Sequence, residues 1–217
     1  MNGLELRCKA LLFDLDGVLV DSQAVVERTW RRWAQGHQLD PDTLIQMAHG
    51  RRTRDTVATA TPDLAIDDEV AWLDATELAD VDGLRVVLGA TQLLSVLPAD
   101  RWAIVTSCGR ALARLRLTSV GLPVPEVLVV SEDVKNGKPA PDGYRLAADR
   151  LGYDAAACVV FEDAPAGVAA GRAAGARVVG LTTSYLALDL PDTEAIIPDF
   201  TSIQVRPDDD ALVLAIG

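Results

Sequence analysis

Paired cysteines are missing from this chain: Cys8, Cys108 and Cys158 are odd in number, widely spaced and free of any Cys-x-x-Cys or neighbouring His pair. That pattern argues against a disulfide framework or a thiolate metal site and fits reduced thiols in the core of a cytoplasmic protein. Positive charge is also short, with 20 Lys and Arg against 32 Asp and Glu and a net charge of −12 over 217 residues. Nucleic acid and anionic membrane surfaces would be repelled before contact, so neither is expected as a partner. A small anionic substrate stays open wherever local basic groups receive it. No apolar run approaches the roughly 20 residues of a membrane span, and no signal-peptide pattern precedes the first one. Repeats and low-complexity stretches are absent, and the apolar fraction of 49% is enough for a real core.

What the chain does have is a series of short, continuous apolar runs: Ala10–Phe13, Trp102–Val105, Val127–Val130, Val159–Phe161 and Val178–Leu181. Continuous apolar strands alternating with helical stretches read as an α/β fold with a parallel sheet covered on both faces. Ligands of such sheets bind outside the carboxyl ends of the strands. The interval from about Asp21 to Leu88 breaks the alternation, with helical spacing at Val26, Trp30 and Trp33 and no convincing strand. Further helices are expected from Pro41 to Met47, Thr53 to Ala60 and Asp67 to Leu78. This is a helical insertion, a cap, and the expected division is residues 1–20 and 84–217 for the core and 21–83 for the cap. Gly17, Gly83 and Gly89 flank it as turn or hinge residues. After Pro198, Pro207-Asp208-Asp209-Asp210 reads as a solvated turn before a last apolar strand.

Every residue with chemical interest follows one of these runs. Asp14 and Asp16, two apart on an extended segment, point to the same side, and Gly17 then turns the backbone away. They are either a solvated strand end or a pair that needs a cation, for which magnesium, a hard ion preferring oxygen, is the ordinary choice. Thr106 and Ser107 at the next strand end either cap the following helix or hold phosphate oxygens. Glu162 and Asp163, adjacent acids ending a buried strand, make poor core filler and good metal ligands. Lys138 lies in a proline-stiffened loop, where Asp142 can cap the next helix, and is one of only three lysines in the chain. It is a surface turn residue or a fixed cation offsetting charge in phosphoryl transfer. Gly167, Gly171 and Gly175, at spacing four, predict close packing of the next helix on the sheet.

Taken in order, Asp14-x-Asp16, Thr106, Lys138 and Glu162-Asp163 resemble the four motifs of the haloacid dehalogenase superfamily, over nearly the whole chain. The resemblance implies a Rossmann-like parallel sheet core with an inserted α-helical cap domain, a bound Mg2+ ion and phosphoryl transfer. It casts Asp14 as the nucleophile that forms an aspartyl-phosphate and Asp16 as the general acid that protonates the leaving alcohol and then activates water. It assigns magnesium to Asp14, the main-chain carbonyl of Asp16 and Asp163, with Glu162 as a ligand or an acceptor behind them. Thr106, Ser107 and Lys138 would hold the transferring group.

The segments His49-Gly50-Arg51-Arg52-Thr53-Arg54-Asp55 and Val160 to Gly171 are similar to those of the glycerol-phosphate and 2-deoxyglucose-6-phosphate phosphatase branch. Arg51, Arg52 and Arg54 are therefore candidate substrate contacts, with a solvated helix face as the alternative. A dehalogenase generally lacks the second aspartate, which is present here. A phosphonate-cleaving relative needs a cap lysine, and none occurs between Lys9 and Lys135. A beta-phosphoglucomutase-like mutase has a histidine at what aligns with Val26 and an arginine at Thr53, so mutase activity is second to phosphatase activity on a small sugar or polyol phosphate ester. A non-catalytic protein with an inherited fold would have lost one of Asp14, Asp16, Lys138 or Asp163. The expected assembly is a monomer or weak homodimer.

Overall fold

The computed structural model describes residues 4–217. Two strands open the chain, β1 (Leu4–Cys8) and β2 (Ala10–Phe13), followed by a two-residue strand β3 (Val20–Asp21). Four helices come next: α1 (Gln23–His37), α2 (Pro41–Ala48), α3 (Thr53–Ala60) and α4 (Ile66–Leu78). Beyond them lie β4 (Arg85–Val86), α5 (Ala90–Val96), β5 (Trp102–Val105), α6 (Arg110–Ser119), β6 (Leu128–Val129), α7 (Asp142–Arg150), β7 (Cys158–Glu162), α8 (Pro165–Ala174) and β8 (Arg177–Leu181). The chain closes with β9 (Ala195–Ile197), β10 (Ile203–Asp208) and β11 (Ala211–Ile216).

Six strands form a parallel sheet in the order β6-β5-β2-β7-β8-β9. The chain leaves β2 for β5 on one side and later returns to β7 on the other, so the order reverses at β2 and opens a crevice at its carboxyl end. Period-2 alternation divides the side chains of β2 between the two faces. Leu11 and Phe13 join Trp102, Ile104, Val159 and Phe161 on the face covered by α5, α6 and the small sheet. Ala10 and Leu12 join Ala103, Val105, Cys158 and Val160 against α7 and α8. The rings of Phe13 and Phe161 stack at 5.0 Å with Phe200 edge-on to both, filling the first face.

The sequence reading anticipates five of the six strands of the parallel sheet, all but the edge strand β9, and all four inserted helices, the last of them starting one residue early at Ile66. It finds the acidic turn at Asp209-Asp210 and the last apolar strand, β11, but misses β1 and β10, which flank β11 in a three-stranded antiparallel sheet, β1-β11-β10. It also needs correcting where it finds no strand in the insertion: β4 pairs antiparallel with β3, tying the two connections of the helical segment together. Two-residue strands carry too short a pattern to be seen. Asp142 does not cap α7, since its carboxylate accepts from the main chain and side chain of Asn136 instead. Gly175 is a left-handed C-cap of α8 rather than a packing residue, whereas Gly171 does lie against Val178 and Val160.

Helices α1 to α4 enclose an apolar cluster of their own, with Trp30, Trp33, Leu44, Ile45, Val57 and Leu73 buried. Polar contacts tie them to the rest of the chain: Ser107 Oγ donates to the Gly50 carbonyl (2.9 Å), Arg52 Nη1 to the Lys135 carbonyl (3.1 Å), Tyr185 OH to the Gln46 carbonyl (3.2 Å) and Arg116 Nη2 to Glu77. Helix α4 packs on α6. Among the described residues no helix is long and apolar enough to cross a membrane.

Candidate active site

Loops leaving the carboxyl ends of β2, β5, β7 and β8 meet beneath the helical insertion and enclose a cavity of about 490 Å³. Asp14, Asp16, Thr106, Ser107 and Asp163 line it from below, and His49, Arg51 and Thr53 from above. Lys138 and Glu162 lie beneath this wall rather than in it. Lys138 Nζ donates to Asp14 Oδ1 (2.7 Å) and Glu162 Oε1 (2.6 Å), with all three side chains buried. Tyr144 OH, on the first turn of α7, donates to the same Glu162 oxygen, and its ring lies 5.3 Å from Nζ. A buried lysine is tolerable only with such partners, and together they raise its pKa against the burial that would lower it.

Asp14 spends Oδ1 on Lys138, and Oδ2 has no hydrogen-bond partner among the described residues. Burial pushes its carboxyl up to about 7, with Lys138 pulling down and Glu162 and Asp16 pushing further up. Asp163, also buried, is raised well above its ordinary range by burial and by Asp14 and Glu162, and its carboxylate accepts from the Ser184 hydroxyl. Gly17 lets Asp163 come this close, since a Cβ there would fall 1.8 Å from Asp163 Oδ2 and its φ of +77° disfavours any side chain. Gly167 does the same for Glu162, whose carboxylate fills the space a Cβ would take.

These contacts bear on a metal. Asp14, Glu162 and Asp163 offer oxygens that all lie within 4.8 Å of one another. Glu162 already serves Lys138, Tyr144 and the Asp163 amide, whereas among the described residues Asp14 Oδ2 accepts no hydrogen bond, and Lys138 is the one cation set against all three carboxylates there. An all-oxygen set of three carboxylates facing one lysine fits a hard divalent ion, which Asp14 and Asp163 could ligate, with Glu162 as a further ligand or as the acceptor that orients Lys138 behind them.

Asp16 sits apart from that cluster. Its Oδ1 accepts from Ser22 Oγ (2.7 Å) and its Oδ2 from Arg116 Nη1 (2.6 Å). Arg116 extends from α6, is almost fully buried, and gives its other nitrogen to Glu77 of α4. Burial pushes Glu77 up to about 7, Arg116 opposing and Asp16 and Asp74 adding to it. Thr106 Oγ1 accepts from the Cys108 amide (3.2 Å) in a local turn and still faces the cavity.

Of the three candidate arginines only Arg51 reaches the cavity wall. Arg52 is spent on Asp55 and on the carbonyls of Val134 and Lys135, and Arg54 on Asp67 at the surface. The spacing places all three on one stretch, but α3 starts at Thr53 and swings Arg54 outward. Sequence reasoning missed Ser22, Glu77, Arg116, Tyr144 and Ser184. Arg116 had a signal, an arginine inside the buried stripe Leu112, Ala113, Leu117 of α6. Ser184 follows a strand end as Thr106 does. Glu77 had no signal, because its partner is distant in sequence.

Residues 8–175 match the family described as haloacid dehalogenase-like hydrolase. The chain belongs to that family. Among curated relatives of these hydrolases it is 39% identical to hexitol phosphatase A of Escherichia coli (strain K12), over 96% of this chain and 100% of that one. It is 35% identical to 2-deoxyglucose-6-phosphate phosphatase 2 of Saccharomyces cerevisiae, over 95% of this chain and 94% of the relative. Among solved structures, a HAD family hydrolase from Deinococcus radiodurans R1, with bound phosphate and sodium, is 30% identical with a TM-score of 0.65, covering 88% of this chain and 90% of that one. The family and the α/β fold expected from the sequence are thereby shown, together with the resemblance to sugar-phosphate phosphatases.

Proposed function

We propose that this haloacid dehalogenase-like hydrolase is a phosphoric monoester hydrolase, a magnesium-dependent phosphatase that releases inorganic phosphate from a small sugar or polyol phosphate. The observation that carries the reading is the convergence, from three separate chain segments, of Asp14 and Asp163 at the floor of a cavity of about 490 Å³ and of Lys138 and Glu162 directly behind them. The names of the hexitol and 2-deoxyglucose-6-phosphate relatives support the substrate class.

In this reading the Asp14 carboxylate attacks phosphorus and forms an aspartyl-phosphate. Lys138 keeps Asp14 aimed and offsets the charge gathering on the transferring group, which Thr106 and Ser107 hold from the β5 end. Asp16 gives a proton to the departing alcohol and takes one from the water that cleaves the acyl-phosphate. Mg2+ would be held by Asp14, Asp163 and the Asp16 carbonyl, and when bound supplies positive charge that neutralises the phosphate and the carboxylates around it. Residues 1–20 and 84–217 form the catalytic core and 21–83 the cap that selects the leaving group, with Arg51 the best-placed cap cation. The enzyme works in the cytoplasm as a monomer or weak homodimer.

Phosphatase is favoured over mutase because Val26 and Thr53 both stand in the cavity wall, where the mutase branch has a histidine and an arginine. Steady-state phosphate release from a panel of hexitol and sugar phosphates tests the reading. Turnover should vanish in EDTA, return with Mg2+ and be absent in Asp14→Asn; activity in EDTA or in that variant would contradict it. Beta-glucose 1-phosphate with a trace of the bisphosphate should release phosphate, and glucose 6-phosphate formed without release would instead establish a mutase.

A further inference from the structure

Glu77 takes no part in the chemistry just described, yet it is 8% exposed and turned into the site rather than to solvent. Its carboxylate receives Nη2 of Arg116, whose Nη1 holds Asp16 Oδ2 at 2.6 Å. One guanidinium thus joins the loop after β2, helix α6 and helix α4. A planar fork with donors in fixed directions suits that task, which the point charge of a lysine does not. Stability gives no reason for the pair, because apolar residues of similar volume would pack α4 on α6 as well or better. Its consequence falls on Asp16: with Ser22 on Oδ1 and Arg116 on Oδ2, both oxygens are held and the carboxylate plane is fixed.

We propose that Arg116 and Glu77 are positioning residues for Asp16, the cap carboxylate aiming the guanidinium and the guanidinium setting the orientation from which Asp16 meets the leaving-group oxygen. Proton donation is then complete only with α4 docked on α6, which couples cap docking to departure of the alcohol. The inference rests on the reading of Asp16 as proton donor.

The test compares kcat/KM for two esters, glucitol 6-phosphate, whose alkoxide needs a proton to leave, and 4-nitrophenyl phosphate, whose nitrophenolate does not. This ratio reports the steps up to phosphoryl transfer and omits the later attack of water. Arg116→Met should lower it about 10²-fold for glucitol 6-phosphate and less than about fivefold for the aryl ester, within the usual span of general acid catalysis. Glu77→Gln, which keeps volume and serves if Arg116→Met does not fold, should lower the alkyl-to-aryl ratio about tenfold. In an Asp16→Asn background neither change should move the ratio further, because the group they position is gone. Equal losses on both esters, or a further fall of the ratio in that background, would overturn the inference and identify the pair as cap structure. Turnover by Asp14→Asn would instead remove the phosphatase reading beneath it.

Discussion

Gly17 is the residue on which the geometry of the acidic cluster depends most directly, because its missing Cβ is what admits Asp163. Gly17→Ala forces Asp163 or the loop after β2 to shift by about an ångström, and misplacement on that scale costs on the order of 10²-fold in turnover. Steady-state kinetics should show that loss, with weaker Mg2+ activation, while circular dichroism stays native; an unaffected kcat would refute the packing argument. Arg54→Ala lies at the other extreme. Its pair with Asp67 is exposed on both sides, and such pairs are worth about 0–1 kcal/mol. Both kcat/KM and stability should stay within about twofold and 1 kcal/mol of the parent, and a tenfold loss of activity would return Arg54 to the substrate site. The acids of the site were legible in sequence because a buried strand seldom ends in carboxylates without a use for them. Which arginine faces the cavity was not, since that depends on where a helix begins within one turn.

At the level of elements, the parallel sheet was readable from runs of apolar residues that a half-exposed strand would not tolerate. Phe13 sits at its centre, stacked on Phe161 and edge-on to Trp102 and Phe200. Phe13→Ala should destabilise the protein by about 3–5 kcal/mol, measured as a lower urea midpoint with an unchanged m-value. A loss under 1 kcal/mol would mean the first face of the sheet is not the core described. The strands that escaped notice are those whose partners decide them. Leu4–Cys8 is a strand because it pairs with the foreseen last strand, Ala211–Ile216, across almost the whole chain, and the Val20–Asp21 and Arg85–Val86 ribbon holds two residues on each side. The cap helices were visible from their own apolar stripe, but their docking was not, because Ser107, Arg52 and Tyr185 reach main-chain carbonyls that carry no residue identity.

Across the whole molecule, the buried carboxylates among the described residues, Asp14, Glu77, Glu162 and Asp163, all lie at or beside the site, and this links stability to pH. Asp14 and Glu77 have folded-state pKa values near 7, above their ordinary 3.8 and 4.5. A raised carboxyl contributes stability that is present below the ordinary value and is lost as pH climbs through the folded one, because the fold then has to hold a buried charge. A divalent ion relieves the cost at Asp14 and binds only as protons leave. The increase in Tm on adding Mg2+ over EDTA should therefore be small near pH 5 and grow through pH 8. A pH-independent increase would indicate an ion bound elsewhere. Lid motion is the expected outcome for a cavity roofed by an inserted helical segment, and scattering profiles that are identical with and without a bound phosphate analogue would contradict it.

The central claim is that Asp14 itself bonds to phosphorus. Acid quench of the enzyme within its first turnovers of radiolabelled hexitol phosphate, followed by borohydride reduction and peptide mapping, tests it most directly. The account predicts label that is stable in acid and lost in base, with reduction confined to Asp14; steady turnover with no trapped acyl-phosphate, or modification at another residue, would contradict it.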